Sequence, residues 1–395
     1  MTILSLLTSI TLSIIVFQAI LLLWPGCSVR AQDGFISLDC GAEPSSPTYT
    51  DNNGIDWVPD ASIMQEGEPV EVGTHSDKLL SRMRLFAGNA SKYCYSLSNS
   101  MVKSKAFFLV RASFWAGASP LYKPQSVDGS YRFQLLIDAD KWTDVKLPFF
   151  GNTTWWSHEM YVRAQHDSID VCLARSSPDG DAPFISTLEL RPLPSTLTPT
   201  SYMNSTGRDA LYLGNRDDYT TAVAEYSFTR YPYDSFDRFW TSFGIAAEYS
   251  IITNKSVDGT NSVNLPPGRI LQSALTFSTG FQLTLSSGEV GRTYVFVLYF
   301  AEINESVTAK GQRTFNIEVN GVLYNTEEPI DVFDRAVGAY EATSYTVIGS
   351  PSPNGEIIVN LTTINSSLFP PFVAAVESFL LNNVTSSAFS SSDDG

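Results

Sequence analysis

The chain has 395 residues, of which 43% are hydrophobic, 12% aromatic and only 17% charged, a composition that predicts two or three domains with packed cores. With 41 acidic and 25 basic residues the net charge is −16, which argues against a surface for nucleic acid or for an anionic membrane. The charge fits a soluble protein, or one that binds basic partners.

Residues 1–31 are predicted to be a signal peptide. An apolar run from Leu6 to Trp24 is followed by Ala31, a small residue suited to cleavage before Gln32. No Lys or Arg precedes the run, so an uncleaved membrane anchor is the alternative, because about 20 apolar residues can span a bilayer. We therefore expect a secreted, extracellular protein of the apoplast or cell surface, whose membrane contact is limited to this segment.

The glycosylation sequons and the cysteines are consistent with a secreted protein. Eight N-x-S/T sequons beside a signal sequence predict a glycoprotein, with acceptors at Asn89, Asn152, Asn204, Asn254, Asn304, Asn360, Asn365 and Asn383. After signal cleavage three cysteines remain, namely Cys40, Cys94 and Cys172. In an oxidising compartment we expect two of them to form a disulfide and the third to be buried or reactive. The spacing leaves the pairing open.

The residues after the signal predict an all-β domain. Apolar patterns predict strands at residues 35–39, 82–97, 106–114, 131–137 and 147–163. A hairpin follows at residues 168–193, where Ile169, Val171 and Leu173 alternate with polar residues before a turn rich in Ser, Pro, Asp and Gly. No long amphipathic helix pattern is present in the sequence, which is typical of a β-sandwich or jelly roll.

The second half of the chain repeats the strand pattern of the first at a constant offset of 188 positions. The matching apolar patterns are 93–97 with 281–285, 108–110 with 296–298, and 169–173 with 357–361. This offset predicts a tandem duplication. We place the domains at residues 33–192 and 207–382, with a linker rich in Pro, Ser and Thr at 193–206 and a polar tail at 383–395.

Seven segments together resemble a known family. They are GFISLDCGA, NASKYCYSLSN, AFFLVRASFW, DVCLARSSPDGDAPFISTLELRPL, RYPYDSFDRFW, YVFVLYFAEI and FNIEVNG. The chain from Gly34 to Leu381 resembles the malectin-like ectodomain of plant leucine-rich-repeat receptor-like kinases. The resemblance implies an all-β fold of two tandem malectin-like β-sandwich (jelly-roll-like) domains, outside the cell, that bind cell-wall carbohydrate or peptide and protein ligands. No repeats, membrane helix or kinase follow, so a secreted ectodomain and a truncated receptor are both open.

The sequence favours a non-catalytic binding module without metal or cofactor. His158-Glu159 lacks the second histidine of a zinc-protease motif, because residue 162 is Val. Asp138 and Asp140 could be imagined as the acid and base of a glycosidase, but aspartates at a strand end are more often turn formers. The rival functions are a glycoside-active enzyme and a purely protein-binding co-receptor ectodomain, with a receptor as partner.

A sugar site is predicted in the first domain. The strand ending at Phe114 and the strand beginning at Tyr131 are joined by a long loop, and long loops on a rigid sandwich often bind ligands. The loop and a Trp pair near residue 155 offer rings and polar groups, at Trp115, Tyr122, Lys123, Asp128, Trp155 and Trp156. Core packing is the alternative role for the rings. The matching connection at residues 303–313 lacks aromatics and carries the sequon at Asn304.

Overall fold

The computed structural model describes residues 32–73, 75, 78–117, 124–138, 140–148, 156–207, 209–220, 228–287, 290–324 and 328–381. Strands dominate these residues, as the alternating and continuous apolar runs predict. The described helices are α1 (Thr198–Thr206), α2 (Val332–Arg335) and four short 3₁₀ turns at Asp60–Ser62, Lys78–Leu80, Ala247–Tyr249 and Gly268–Leu271.

The strands form two consecutive sets, which we call the first and the second repeat. The first repeat contains β1 (Ile36–Asp39), β2 (Tyr49–Thr50), β3 (Asp56–Pro59), β4 (Glu68–Glu71), β5 (Arg82–Leu85), β6 (Lys92–Leu97), β7 (Phe107–Phe114), β8 (Ser130–Ile137), β9 (Asp140–Pro148), β10 (Trp156–Arg163), β11 (Ile169–Arg175), β12 (Phe184–Ile185) and β13 (Thr187–Leu193). The second repeat contains β14 (Ala210–Thr220), β15 (Phe228–Thr229), β16 (Trp240–Gly244), β17 (Ser250–Ile252), β18 (Ser273–Thr276), β19 (Gly280–Ser287), β20 (Thr293–Ala301), β21 (Phe315–Val319), β22 (Val322–Leu323), β23 (Ala342–Gly349), β24 (Glu356–Thr363), β25 (Phe372–Val373) and β26 (Ala375–Leu381).

The two repeats share one topology. In the first repeat the hydrogen-bonded orders are β1-β13-β7-β10, β6-β11-β8-β9 and β12-β5-β4. The second repeat has the same orders, β14-β26-β20-β23, β19-β24-β21-β22 and β25-β18-β17. The all-β, tandem β-sandwich fold predicted from the sequence is therefore confirmed.

A continuous sheet joins the repeats. Strand β10 of the first repeat pairs antiparallel with β14 of the second, with Met160, Tyr161 and Val162 opposite Tyr212, Leu211 and Ala210. This pairing merges the large sheets into one sheet of 12 strands. The repeats consequently meet along backbone hydrogen bonds as well as through side chains.

Strand β7 shows how one apolar run serves two cores. All eight of its residues are buried. Phe108 and Val110 pack in the core of the first repeat, whereas Phe107 and Leu109 join the core that fills the second. Because side chains alternate across a strand, β7 needs apolar residues at consecutive positions and not only at every second one.

The predicted linker is partly helical. Helix α1 carries Pro199 in its first turn, where a missing N–H costs no intrahelical hydrogen bond, and ends at Gly207 in the left-handed conformation. Leu197 and Met203 pack in the core of the second repeat, so tertiary burial outweighs the poor helix propensity of this Pro- and Thr-rich segment.

Candidate functional site

Polar side chains are grouped at two places in the fold: an ion cluster between the repeats and a pocket in the second repeat. The first, which we call the junction ion cluster, has five arginines and five carboxylates. Its members are Arg111, Glu159, Glu189, Arg191, Arg216, Arg230, Asp234, Asp237, Arg238 and Glu377. Equal numbers of opposite charges are what burial demands, since an unpaired buried charge is very costly.

Asp237 connects the second repeat to three arginines. Its carboxylate accepts hydrogen bonds from Arg191 Nε at 2.8 Å and from Arg230 Nε and Nη2 at 2.8 and 2.7 Å. The Nη1 atom of Arg111 lies 3.3 Å away. Burial alone would raise the pKa of Asp237, but the charges of Arg230, Arg191 and Arg111 overcome it and hold the pKa well below its usual range.

Glu159 bridges the repeats across the joined sheet. It accepts a hydrogen bond from Arg111 Nε at 2.6 Å and another from Arg216 of the second repeat. Arg216 in turn donates from Nε to Glu377 at 2.6 Å. Glu377 stands 188 positions after Glu189, so one position in the duplicated module supplies a carboxylate to the cluster from each repeat.

The segment from Arg230 to Trp240 is held by Asp234. Arg238 Nε and Trp240 Nε1 donate to this carboxylate at 2.8 and 2.7 Å, and Arg238 also donates to the backbone oxygen of Asn264. Asp234 and Asp237 lie in the turns of this segment and are charge partners of the buried Arg238 and Arg191, respectively.

The pocket lies in the second repeat and has a volume of about 490 Å³. Strands β14 and β26 form one side, and β19, at the edge of its sheet, forms the other. The lining residues are Asn215, Asp217, Tyr219, Phe243, Ile245, Ala246, Tyr249, Leu275, Phe277, Gln282, Leu283, Thr284, Leu285, Val376 and Ser378. This volume is within the range of small-ligand sites in proteins.

Four aromatic rings line the pocket. Tyr249 and Phe277 stack with centroids 4.4 Å apart and planes 25° apart. Phe243, which is 60% exposed, meets the edge of Tyr219 at 6.2 Å. Exposed rings held by neighbouring rings offer flat apolar faces to a ligand at little entropic cost.

A desolvated carboxylate contributes the polar side of the pocket. Burial raises the pKa of Asp217 to about 6, against a hydrogen bond from Asn215 and the charge of Arg216. Asp218, next in the chain, has a pKa of about 7 because it too is buried, although Ser242 Oγ donates to it at 3.0 Å. The pocket thus combines aromatic rings with planar carboxyl and amide groups that can form hydrogen bonds.

A family model described as a malectin-like domain matches residues 38–381. The chain belongs to the malectin-like family. Its curated relatives include two probable LRR receptor-like serine/threonine-protein kinases of Arabidopsis thaliana, At1g05700 and At1g67720. The first is 30% identical over 93% of this chain and 41% of its own length, and the second is 29% identical over 78% and 32%. The chain therefore spans less than half the length of these receptor kinases.

Solved structures share the malectin-like fold. The extracellular domain of ANXUR2 from Arabidopsis thaliana matches 89% of this chain and 97% of its own, with a TM-score of 0.65 and 17% identity. The plant peptide RALF23 in complex with FER and LLG2 includes a chain that matches 89% of this one and 96% of its own, with a TM-score of 0.64 and 15% identity. At such identities the likeness shows the fold alone.

The structure buries one of the rings of the sugar site predicted in the first malectin-like repeat. Trp115 is only 1% exposed, lies in the core of the first repeat and meets the edge of His75 at 4.9 Å, so its ring is not free to stack on a sugar. Tyr122, Lys123 and Trp155 lie outside the described residues.

Two other residues of the predicted site are exposed in the first repeat. Trp156 begins β10 and is 44% exposed. Asp128 accepts hydrogen bonds from Ser130, and its carboxylate pairs with Lys146 at 2.9 Å and with Arg132 at 2.7 Å. These bonds lower the pKa of Asp128, and they already occupy its oxygens. The structure does not bring these residues together with Trp115 on one accessible surface.

The cysteines of the first repeat lie on two neighbouring strands and directly after β1. Cys94 on β6 is joined to Cys172 on β11, directly opposite in the register, and Cys40 is a buried thiol. At the 188-residue offset the same cross-strand pair in the second repeat is Gln282 and Asn360. The sequon at Asn360 therefore stands beside the pocket wall.

Exposure of the remaining sequons varies within the described residues. Asn89, Asn204, Asn254 and Asn365 are exposed, whereas Asn304 and Asn360 are half-buried, and Asn152 and Asn383 lie outside the described part of the chain. Among the residues that the structure describes, no group of three or more His, Cys, Asp or Glu could hold a metal. No described helix has the length and hydropathy to cross a bilayer.

Proposed function

We propose that this malectin-like chain is an extracellular, non-catalytic binding module that recognises cell-wall carbohydrate through the pocket of its second repeat. The observation that carries the proposal is the lining of that pocket. Tyr249, Phe277 and Phe243 offer flat rings for the apolar faces of pyranoses. Asp217 and Gln282 offer planar polar groups for hydroxyls.

The second repeat is a better location than the loop of the first. Trp115, one of the rings predicted to stack on a sugar in the first repeat, is buried. Trp156 and Asp128 remain as exposed members of that earlier proposal. The pocket, by contrast, has several rings and polar groups that face one cavity.

The test is calorimetry of the purified chain with neutral oligosaccharides released from wall polysaccharides. Phe243→Ala removes an exposed ring of the pocket, and Tyr233→Ala removes an exposed ring of the same repeat outside it. Loss of one stacking ring should cost about 1 kcal/mol, or several-fold in affinity. The Tyr233 variant should bind like the parent. Equal affinity for all three proteins would show that the pocket is not the sugar site.

A second function, protein binding, is favoured by one comparison. The RALF23 complex with FER and LLG2 contains a chain of the same fold beside a peptide and another protein. A net charge of −16 would also suit a basic peptide or a receptor partner. Pull-down from wall extracts, with and without glycan competitors, distinguishes the two: protein captured equally in both conditions favours the co-receptor function.

A glycoside-active enzyme is the remaining rival. The purified chain is expected to release no reducing sugar from wall polysaccharides. Release that is lost in Asp217→Asn would instead identify the pocket carboxylate as an acid or base of hydrolysis.

A further inference from the structure

We propose that the pocket of the second repeat selects neutral sugars and rejects uronic acids. The inference rests on the proposed function and adds the chemical class of the ligand. It is carried by the single carboxylate among the described lining residues, Asp217, and by the absence of cations among them.

The first observation concerns the sign of the charge. Asp217 is the charged residue of the lining, and none of the described lining residues is Lys, Arg or His. Asp218 follows it in β14, is buried, and receives a hydrogen bond from Ser242. Asp217 consequently places one carboxyl in a cavity otherwise built from rings, aliphatic side chains and neutral polar groups, whereas Asp218 is not among the lining residues.

The second observation explains why neighbouring arginines do not neutralise this wall. Arg216 lies between Asn215 and Asp217 in sequence, but its guanidinium is held by Glu159 and Glu377 in the junction ion cluster. Arg269, which acts on Asp218 from further away, lies over the ring of Tyr233 at 4.3 Å. Alternation along β14 thus sends the arginine to one face of the strand and the pocket carboxylate to the other.

Neutral and acidic sugars should interact with Asp217 with different energies. A sugar hydroxyl can donate a charge-assisted hydrogen bond to the carboxylate of Asp217, which receives a hydrogen bond from Asn215. A uronate carboxylate at about 5 Å would meet a like charge in a partly desolvated site. We expect this repulsion to lower uronate affinity by about tenfold or more relative to a neutral sugar.

The groups that face Asp217 are few and can be separated by mutation. Asn215 and Tyr219 lie on the pocket face of the same strand, and Arg216 and Asp218 act on Asp217 through their charges from the opposite face. Asp217→Asn keeps the size and planar shape of the side chain while removing its charge. Glu305→Gln removes an exposed carboxylate of the same repeat that pairs with Lys255 outside the pocket, and serves as the matched control.

The experiment measures the affinities of the parent and of both variants, as full chains, for a cello-oligosaccharide and for an oligogalacturonate of equal length. All measurements are made at about pH 8. The parent should bind the neutral probe about tenfold or more tightly than the acidic one. Asp217→Asn should shrink this ratio to about threefold or less, mainly by improving uronate binding, and Glu305→Gln should leave it unchanged. Unchanged melting curves verify that the variants are folded.

Three results would overturn the inference. If the parent binds the oligogalacturonate as tightly as the neutral probe and Phe243→Ala weakens both, the pocket binds sugar but does not select by charge. If Asp217→Asn leaves the ratio unchanged, the selection arises elsewhere. Failure of the parent to bind either probe would refute the proposed function and the inference together.

Discussion

The junction ion cluster should be essential for stability, and Asp237→Asn tests this most sharply. Asparagine has the shape of aspartate and tolerates the left-handed backbone at this position, where φ is 55°. The substitution therefore removes one negative charge and little else. It leaves Arg111, Arg191 and Arg230 facing a neutral amide whose NH₂ group cannot accept their hydrogen bonds.

The magnitude follows from burial. Arg111 and Arg191 have no exposed surface on their side chains, so water cannot replace the lost carboxylate. Breaking a buried ion pair by removing one partner costs about 3–5 kcal/mol, because the other charge stays buried without compensation. Arg230 is 14% exposed, and adding Arg230→Gln should recover part of the loss by restoring the neutrality of the cluster.

Urea denaturation followed by tryptophan fluorescence measures the effect. The control is Asp167→Asn, which removes an exposed partner of Lys103 at 2.9 Å and should leave the midpoint unchanged. A free energy of unfolding for Asp237→Asn within about 1 kcal/mol of the parent value would refute the reasoning, because it would mean that the arginines relax or hydrate at no cost.

Three further predictions follow from single features of the structure. Burial raises the pKa of Asp218 to about 7, above its unfolded value, so this carboxyl contributes stability that is lost as pH rises from about 4 to about 7; relative to Asp218→Asn, the parent should therefore lose stability over this range, and equal pH dependence of the urea midpoints would contradict this. Replacing both Cys94 and Cys172 by Ser should cost about 4 kcal/mol, because their bond closes a separation of 78 residues; an unchanged midpoint would contradict this. A glycan on Asn360, beside the pocket wall, should hinder access of a sugar to the pocket, so Asn360→Gln should raise the affinity for a neutral oligosaccharide several-fold. Asn89→Gln, in the first repeat, should leave this affinity unchanged, and equal affinities for both variants would show that no such glycan hinders access.

Local patterns predicted most of the strands, but the hairpin predicted at residues 168–193 is wrong. Strand β11 pairs with β6 and β8, whereas β13 pairs with β1 and β7 in another sheet. The alternation in residues 169–173 and the continuous run of β7 depend on neighbouring side chains, so the sequence revealed these strands and, through the constant offset, the duplication. Helix α1 was missed because its burial depends on contacts with residues of the second repeat. The domain boundaries at 192 and 207 stay a proposal, to be tested by cleavage between Pro194 and Pro199, and the joined sheet favours fragments that depend on one another.

The site was harder to predict because its residues converge from distant positions. Arg216 and Glu377 are 161 residues apart, and no local pattern reports such a pair. Arg111 could have indicated the ion cluster from the sequence. It is a charged residue within the apolar run FFLVRASF, and a charged side chain in a buried strand requires a partner of opposite charge. The pocket gave no such signal, since Phe243 and Tyr249 stand in a segment without regular alternation.

The most direct test of the account is a crystal structure of the chain with a bound cello-oligosaccharide. The account predicts a pyranose ring over Tyr249 or Phe243 in the second repeat, with a hydroxyl within hydrogen-bonding distance of Asp217. A sugar bound instead beside Trp156 and Asp128 of the first repeat, with the pocket empty, would contradict it.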